Sequence, residues 1–311
     1  MTSFPDVLEA ARRIRGFVHR TPVLTSRTLD AELGAEVFCK CENLQKVGAF
    51  KARGAANAVL ALRDEEAPRG VITHSSGNHA AALAYAAGLR SLRCTVVMPR
   101  TAPRPKIEAV RGYGARIVFC GQAEREATCE RLMRETGSVL IHPFEDPRVI
   151  AGQGTAAFEL IEDVGGLDVL VVPVGGGGLC AGTTLVARAL LPRASVLGAE
   201  PVVADDAARS LATGVRQPRV EGQGTIADGL LAGLGERAFG ILREGGVRIV
   251  TVEEREIVHA ARFFFARMKI VVEPSAATAL AAARKASADL RGKRVGLILS
   301  GGNTDGSWLA D

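Results

Sequence analysis

Val169-Leu170-Val171-Val172-Pro173-Val174-Gly175-Gly176-Gly177-Gly178-Leu179-Cys180-Ala181 is the stretch on which the reading of this chain turns. Its first six residues are a short apolar run rich in β-branched side chains, the composition of a strand buried on both faces. Four glycines follow, and an apolar helical pattern opens at Leu179. Strand, glycine turn and helix in direct succession make half of a parallel βαβ unit. Glycines at such a turn let backbone N–H groups converge on an anion, and the helix N-terminus adds its partial positive charge, so a phosphate is the natural guest. A plain turn without a ligand competes, but four consecutive glycines cost backbone entropy that a plain turn does not require. From Val169 to Ala187, 19 residues carry no charge, nearly the roughly 20 that span a bilayer. Pro173 and the glycines interrupt the middle of that run, which excludes a membrane helix.

Outward from this stretch the alternation continues. Strands are expected at 36–41, 70–73, 94–98, 116–120, 139–142, 169–174, 195–199, 248–252 and 295–299, with helices at 52–62, 78–89, 105–113, 124–136, 152–161, 179–190, 253–265 and 276–285. The fold class is α/β, with parallel-rich sheets covered by helices on both faces. Ligands in such folds sit at the carboxyl ends of strands. Apolar residues make 47% of the 311 and only 14 are aromatic, so the core must be built from Ala, Val, Leu and Ile. That composition excludes disorder and suits two domains or one large one. The net charge of +5 contains no run of five like charges and no interleaved aromatics, so nucleic-acid binding is not expected. The six cysteines form no Cys-x-x-Cys pair, and the N-terminus lacks a basic segment followed by an apolar one. Both point to a reducing, cytoplasmic setting.

Three further loops hold chemistry. Glu42-Asn43-Leu44-Gln45-Lys46-Val47-Gly48-Ala49-Phe50-Lys51 places one of only seven lysines at a helix start, where the dipole and any desolvation lower an amine's pKa and prepare it as a nucleophile. His74-Ser75-Ser76-Gly77-Asn78-His79 opens a helix with hydroxyls and N–H donors around one point, which suits a carboxylate or simple capping. Ser300-Gly301-Gly302-Asn303 ends the strand at 295–299. The glycine loop alone also fits a dinucleotide fingerprint, Gly176-x-Gly178-x-x-Ala181 with Glu200 as the ribose-binding acid of an NAD-dependent oxidoreductase. That alternative leaves Lys51, Asn78 and Ser300 without a role.

In this order and spacing, the four loops resemble the fold-type II pyridoxal-phosphate (PLP) enzymes, in the branch of the serine/threonine dehydratases and serine racemases. The resemblance runs from His19-Arg20-Thr21-Pro22-Val23-Leu24 through Ser300-Gly301-Gly302-Asn303. It implies two three-layer αβα domains of the tryptophan synthase β-like type with the cofactor in the cleft between them. A small domain, 51–146, would be inserted into a large one made of 1–50 and 147–311. No appended regulatory domain is expected. By the resemblance Lys51 forms the Schiff base with PLP and Phe50 packs on the ring. Asn78 bonds the 3′-hydroxyl, Gly175, Gly176, Gly177, Gly178 and Leu179 hold the phosphate, and Ser300 faces the pyridine nitrogen. Ser75, Ser76, Gly77, Asn78 and His79 would bind the carboxylate of a small amino-acid substrate.

The implied reaction is β-elimination from L-threonine or L-serine to a 2-oxo acid and ammonia, with the released Lys51 taking the α-proton. A neutral hydroxyl at Ser300 makes a weaker electron sink than an acid would, which favours loss of the β-hydroxyl over transamination. Ser76 takes the position of a racemase's second base, on the face opposite Lys51, so serine racemase is the alternative. His142-Pro143-Phe144-Glu145-Asp146 looks more like the dehydratases. β-Hydroxyaspartate dehydratase comes third, since it needs a further cation for the second carboxylate. Glu200-Pro201-Val202-Val203-Ala204-Asp205-Asp206 matches the metal segment of the racemase branch. Glu200, the Ala204 carbonyl and Asp206 would then ligate Mg²⁺, Mn²⁺ or Ca²⁺, the alternative being acids that cap a helix. The resemblance also implies a homodimer.

Overall fold

The computed structural model describes residues 2–220 and 224–309. Among them the strands are β1 (Val23–Leu24), β2 (Glu36–Cys41), β3 (Val71–His74), β4 (Cys94–Pro99), β5 (Arg116–Cys120), β6 (Val139–Leu140), β7 (Val169–Pro173), β8 (Ser195–Pro201), β9 (Arg248–Val252) and β10 (Arg294–Leu299). They form a six-stranded sheet, β1-β2-β10-β7-β8-β9, and a four-stranded sheet, β5-β4-β3-β6. Every pairing is parallel except β1 on β2. Helices cover both faces of each sheet, as the continuously apolar strands require: β7 is buried throughout and β10 at all but its first residue.

Strands at 36–41, 116–120 and 248–252 have the expected bounds, and most others shift by a residue or two. The strand expected at 139–142 stops at Leu140, because His142 turns the chain: its Nδ1 accepts from the backbone N–H groups of Phe144 and Glu145. The helix expected at 152–161 runs from Pro147 to Val164, started by an Asp146 cap on the Arg148 N–H. Helices outside the expected set include Phe4–Ile14, Arg27–Leu33, Asp206–Thr213 and Glu236–Glu244. The first carries a legible signal, a Ser3 N-cap whose N–H donates to Asp6, with Pro5 in the first turn.

Part of the glycine excess serves close contacts between helices. A Cβ at Gly152 would lie 2.6 Å from the Gly54 Cα, and one at Gly182 would lie 2.5 Å from the Gly154 nitrogen. Bare backbone on both sides therefore lets the helix Pro147–Val164 press against Lys51–Leu60 on one side and Gly178–Leu190 on the other. The in-register strands β2, β10 and β7 end together, Cys41 opposite Leu299 and Leu297 opposite Val171. Their following loops open on one edge of the sheet.

Candidate active site

The loops after β2 and β10 are stitched to each other. The Phe50 N–H donates to the Ser300 carbonyl (2.9 Å), the Gly302 N–H donates to the Gly48 carbonyl (2.9 Å), and Ala49 bridges Gly301. Lys51 follows as the first residue of its helix. Its Nζ donates to the Pro143 carbonyl (2.9 Å) and stands 5.0 Å from the centre of the Phe50 ring. Enclosure of the amine lowers its pKa to about 8, partly offset by the charge of Glu273.

Asn78, at the first position of its helix, donates through Nδ2 to both carboxylate oxygens of Glu273 (3.0 Å each). Its Oδ1 accepts from Asn303 Nδ2 (2.9 Å), which also donates to the Val47 carbonyl. Glu273 is 5% exposed, and burial pushes its carboxyl up to about 7. The sequence reading missed this acid. It lies 195 residues from Asn78, and only its position just before Pro274 in a helix start hinted at a special place.

The glycine loop sits beside the same opening. Gly177 has φ +83 and caps the helix Gly178–Leu190, a backbone turn that glycine makes without strain. A Cβ at Gly176 would lie 2.3 Å from the Phe144 ring, which covers the loop. The N–H groups of Gly175, Gly176 and Gly177 find no acceptor among the described residues. Buried donors are almost always paired, so this cradle is built for an external acceptor. Ser300 is buried at the end of β10.

In the loop after β3, Gly77 donates its N–H to Ser75 Oγ (3.3 Å), and nothing lies within 4 Å of where its Cβ would be. Ser75, Ser76, Gly77 and Asn78 are half-buried, and His79 is buried. His79 Nε2 donates to the Ile141 carbonyl (2.9 Å), which leaves Nδ1 unpartnered. Desolvation lowers His79 to about 3 and His142 to about 4, and it lowers His74 as well. All three imidazoles are neutral at pH 7, and the His74 and His142 rings meet edge-on at 5.4 Å.

Glu200, Ala204 and Asp206 are brought together near the end of β8, apart from these loops. Glu200 accepts from the Ala207 and Ala208 N–H groups (3.0 and 2.9 Å), and Asp206 Oδ2 accepts from the Leu234 N–H (2.7 Å). Among the described residues no cluster of three or more His, Cys, Asp or Glu side chains is arranged for a metal. The capping acid is Glu200 rather than Asp205, which pairs with Arg209 (2.8 Å). Burial raises Glu200 to about 8 and raises Asp206, and the charge of a neighbouring acid adds to each rise.

A family model described as pyridoxal-phosphate dependent enzyme matches residues 14–301. The chain is 48% identical over 307 residues to serine racemase of Dictyostelium discoideum, covering 96% of this chain and 94% of the relative. It is 47% identical over 305 residues to β-hydroxyaspartate dehydratase of Paracoccus denitrificans, with 97% and 96% covered. The solved structure of a threonine deaminase from T.th. superposes with a TM-score of 0.92 at 47% identity, covering 97% of this chain and 99% of that one.

Proposed function

The chain belongs to the pyridoxal-phosphate-dependent enzymes, and from that premise we propose that it is an ammonia-lyase converting L-threonine or L-serine to a 2-oxo acid and ammonia. The observation that carries this reading is the Lys51 amine, lowered to about 8 by desolvation, which follows the Phe50 bonded to the Ser300 loop and donates to the Pro143 carbonyl, next to the Phe144 that covers the glycine loop.

The residues gathered there fit PLP. The unpartnered N–H groups of Gly175 to Gly177, with Gly178 and Leu179 at the helix start, suit its phosphate. Lys51 would hold its aldehyde, Phe50 would border the ring, Asn78 would meet the 3′-oxygen and Ser300 the pyridine nitrogen. Bound there, the cofactor supplies an electron sink for the α-carbon. Ser75 to His79 bind the substrate carboxylate, with Gly77 leaving room for its approach. Lys51 Nζ takes the α-proton, and an amine pKa near 8 keeps part of its population unprotonated at neutral pH. The neutral histidines add no positive charge against it. Residues 51–146 act as a small domain inserted into 1–50 plus 147–311.

A second reading, serine racemase, draws on Ser76 and on the racemase relative. A keto-acid assay over L- and D-serine, L-threonine and the hydroxyaspartates, with chiral analysis of serine, tests both. Keto acid from L-threonine or L-serine with little D-serine supports the lyase. Fast D-serine formation makes it a racemase, and turnover of hydroxyaspartates alone moves it to the third reading. Ser76→Ala should suppress formation and elimination of D-serine while sparing elimination from L-serine.

Two finer features complete the proposal. A divalent cation at Glu200, the Ala204 carbonyl and Asp206 would offset the cost of ionising Glu200, which burial first and the neighbouring acids second raise to about 8. Mg²⁺ should then raise Tm more at pH 8, where Glu200 ionises, than at pH 5, where it is protonated. Equal or no effect leaves them as caps. A homodimer is supported by the exposed apolar side chains Phe17, Leu44 and Val271, and light scattering reads it directly. No described helix is long and apolar enough to cross a membrane.

A further inference from the structure

We infer that Glu273 is a positioning residue: it locks the Asn78 amide so that one N–H stays free for the cofactor's 3′-oxygen, and its charge draws the nitrogen of Lys51 toward its protonated form. This rests on the proposed seating of PLP on Lys51 and Asn78.

The orientation of the Asn78 amide follows from chemistry. The Val47 carbonyl only accepts, so the Asn303 amide nitrogen faces it and also donates to Asn78; the carbonyl of Asn78 must therefore face Asn303 and its NH₂ must face Glu273. Glu273 Oε1 and Oε2 share one hydrogen of that NH₂ at equal distances of 3.0 Å, and the second hydrogen is left over. The fold makes room for the acid: a Cβ at Gly301 would lie 2.6 Å from Glu273 Oε1. Glu273 occupies the N-cap position of the helix Pro274–Lys285 without a side-chain capping bond, which leaves its carboxyl to accept the Asn303 backbone N–H.

The charged groups facing it come from three elements. Lys51 is drawn toward its protonated form by Glu273. Asp228 opposes the ionised carboxyl and Lys106 favours it, and these two are themselves an ion pair. The nearer effect on Lys51 is attractive, so removing the carboxylate makes the Lys51 nitrogen easier to deprotonate.

The test follows the visible absorbance of the bound cofactor against pH in wild type, Glu273→Gln and Glu273→Asp. Amine-reactive labelling of Lys51 against pH in the cofactor-free protein gives a second readout. The Gln variant keeps an acceptor without the charge. Its absorbance and labelling midpoints should both fall by about one pH unit, the low end of one charge's effect at short range. The Asp variant, which keeps the charge, should stay nearer wild type. Midpoints unchanged in Glu273→Gln overturn the inference. If that variant does not fold by circular dichroism, an Asp variant whose labelling midpoint falls as cofactor affinity is kept overturns it instead. Absence of a Lys51-dependent cofactor band in wild type would sink the seating itself, a separate failure.

Discussion

Lys51 and Arg53 stand two residues apart at the start of one helix, both enclosed, and they meet opposite fates. Arg53 is fully buried, yet its guanidinium is held well above its usual pKa by two carboxylates. Glu42 accepts from Nε and Nη2 (2.7 Å each), and Glu159 accepts from Nη1 and Nη2 (2.8 Å each). Lys40, also buried, reaches Glu159 (2.8 Å) and the Thr21 carbonyl (2.8 Å), so the N-terminal segment, β2 and two helices meet in one ion network. Among the described residues Lys51 has only a neutral carbonyl within hydrogen-bond range, and its amine falls to about 8. A buried charge that is fully paired is architecture, and one left underpaired is available for chemistry.

The comparison can be broken in order of effect. Lys51→Met should abolish turnover and the borohydride-trapped cofactor adduct while the protein stays folded. Residual activity above about one thousandth of wild type would remove Lys51 from the chemistry, since a lost covalent and proton-transfer group costs at least that much. Arg53→Met takes the cation from the buried Glu42 and leaves Glu159 to Lys40, so denaturant unfolding should show a loss of about 3–5 kcal/mol. A loss below about 1 kcal/mol, the range of exposed pairs, would mean that the network is not structural. Gly152→Ala forces a methyl against the Gly54 backbone. It should cost about 1–3 kcal/mol and weaken cofactor binding by moving the Lys51 helix.

The smallest effect is one of pH on the cofactor-free protein. Lys51 has a folded pKa below its unfolded value of 10.5, so the unfolded chain binds more protons between about 8 and 10.5. The stabilisation of Lys51→Met over wild type should be largest below pH 8 and shrink as pH rises toward 10.5. Arg53, charged throughout, should add no such slope. A difference flat across that window would mean that the Lys51 amine is solvated after all.

What could be read from the chain beforehand tracks sequence distance. The strands were legible because strands buried on both faces are continuous apolar runs, and the loops because glycines and hydroxyls cluster at strand ends within a few residues. The helix Glu236–Glu244 was missed because it lies among short, mixed-polarity segments that packing selects. Phe144 appeared only as part of a dehydratase-like segment, and its cover over Gly176 emerges from the fold.

The sequence by itself determined the α/β class, the order of the four loops and the residue types each offers, because backbone propensity and turn chemistry act locally. Tertiary structure decided which groups meet: Arg53 with Glu159 across 106 residues, Asn78 with Glu273 across 195, and Glu200 with the backbone of the helix Asp206–Thr213 rather than with solvent. Those pairings set the burial and charge around each group. Whether Lys51 is a reactive amine or an inert cation depends on those surroundings, and no local pattern encodes them.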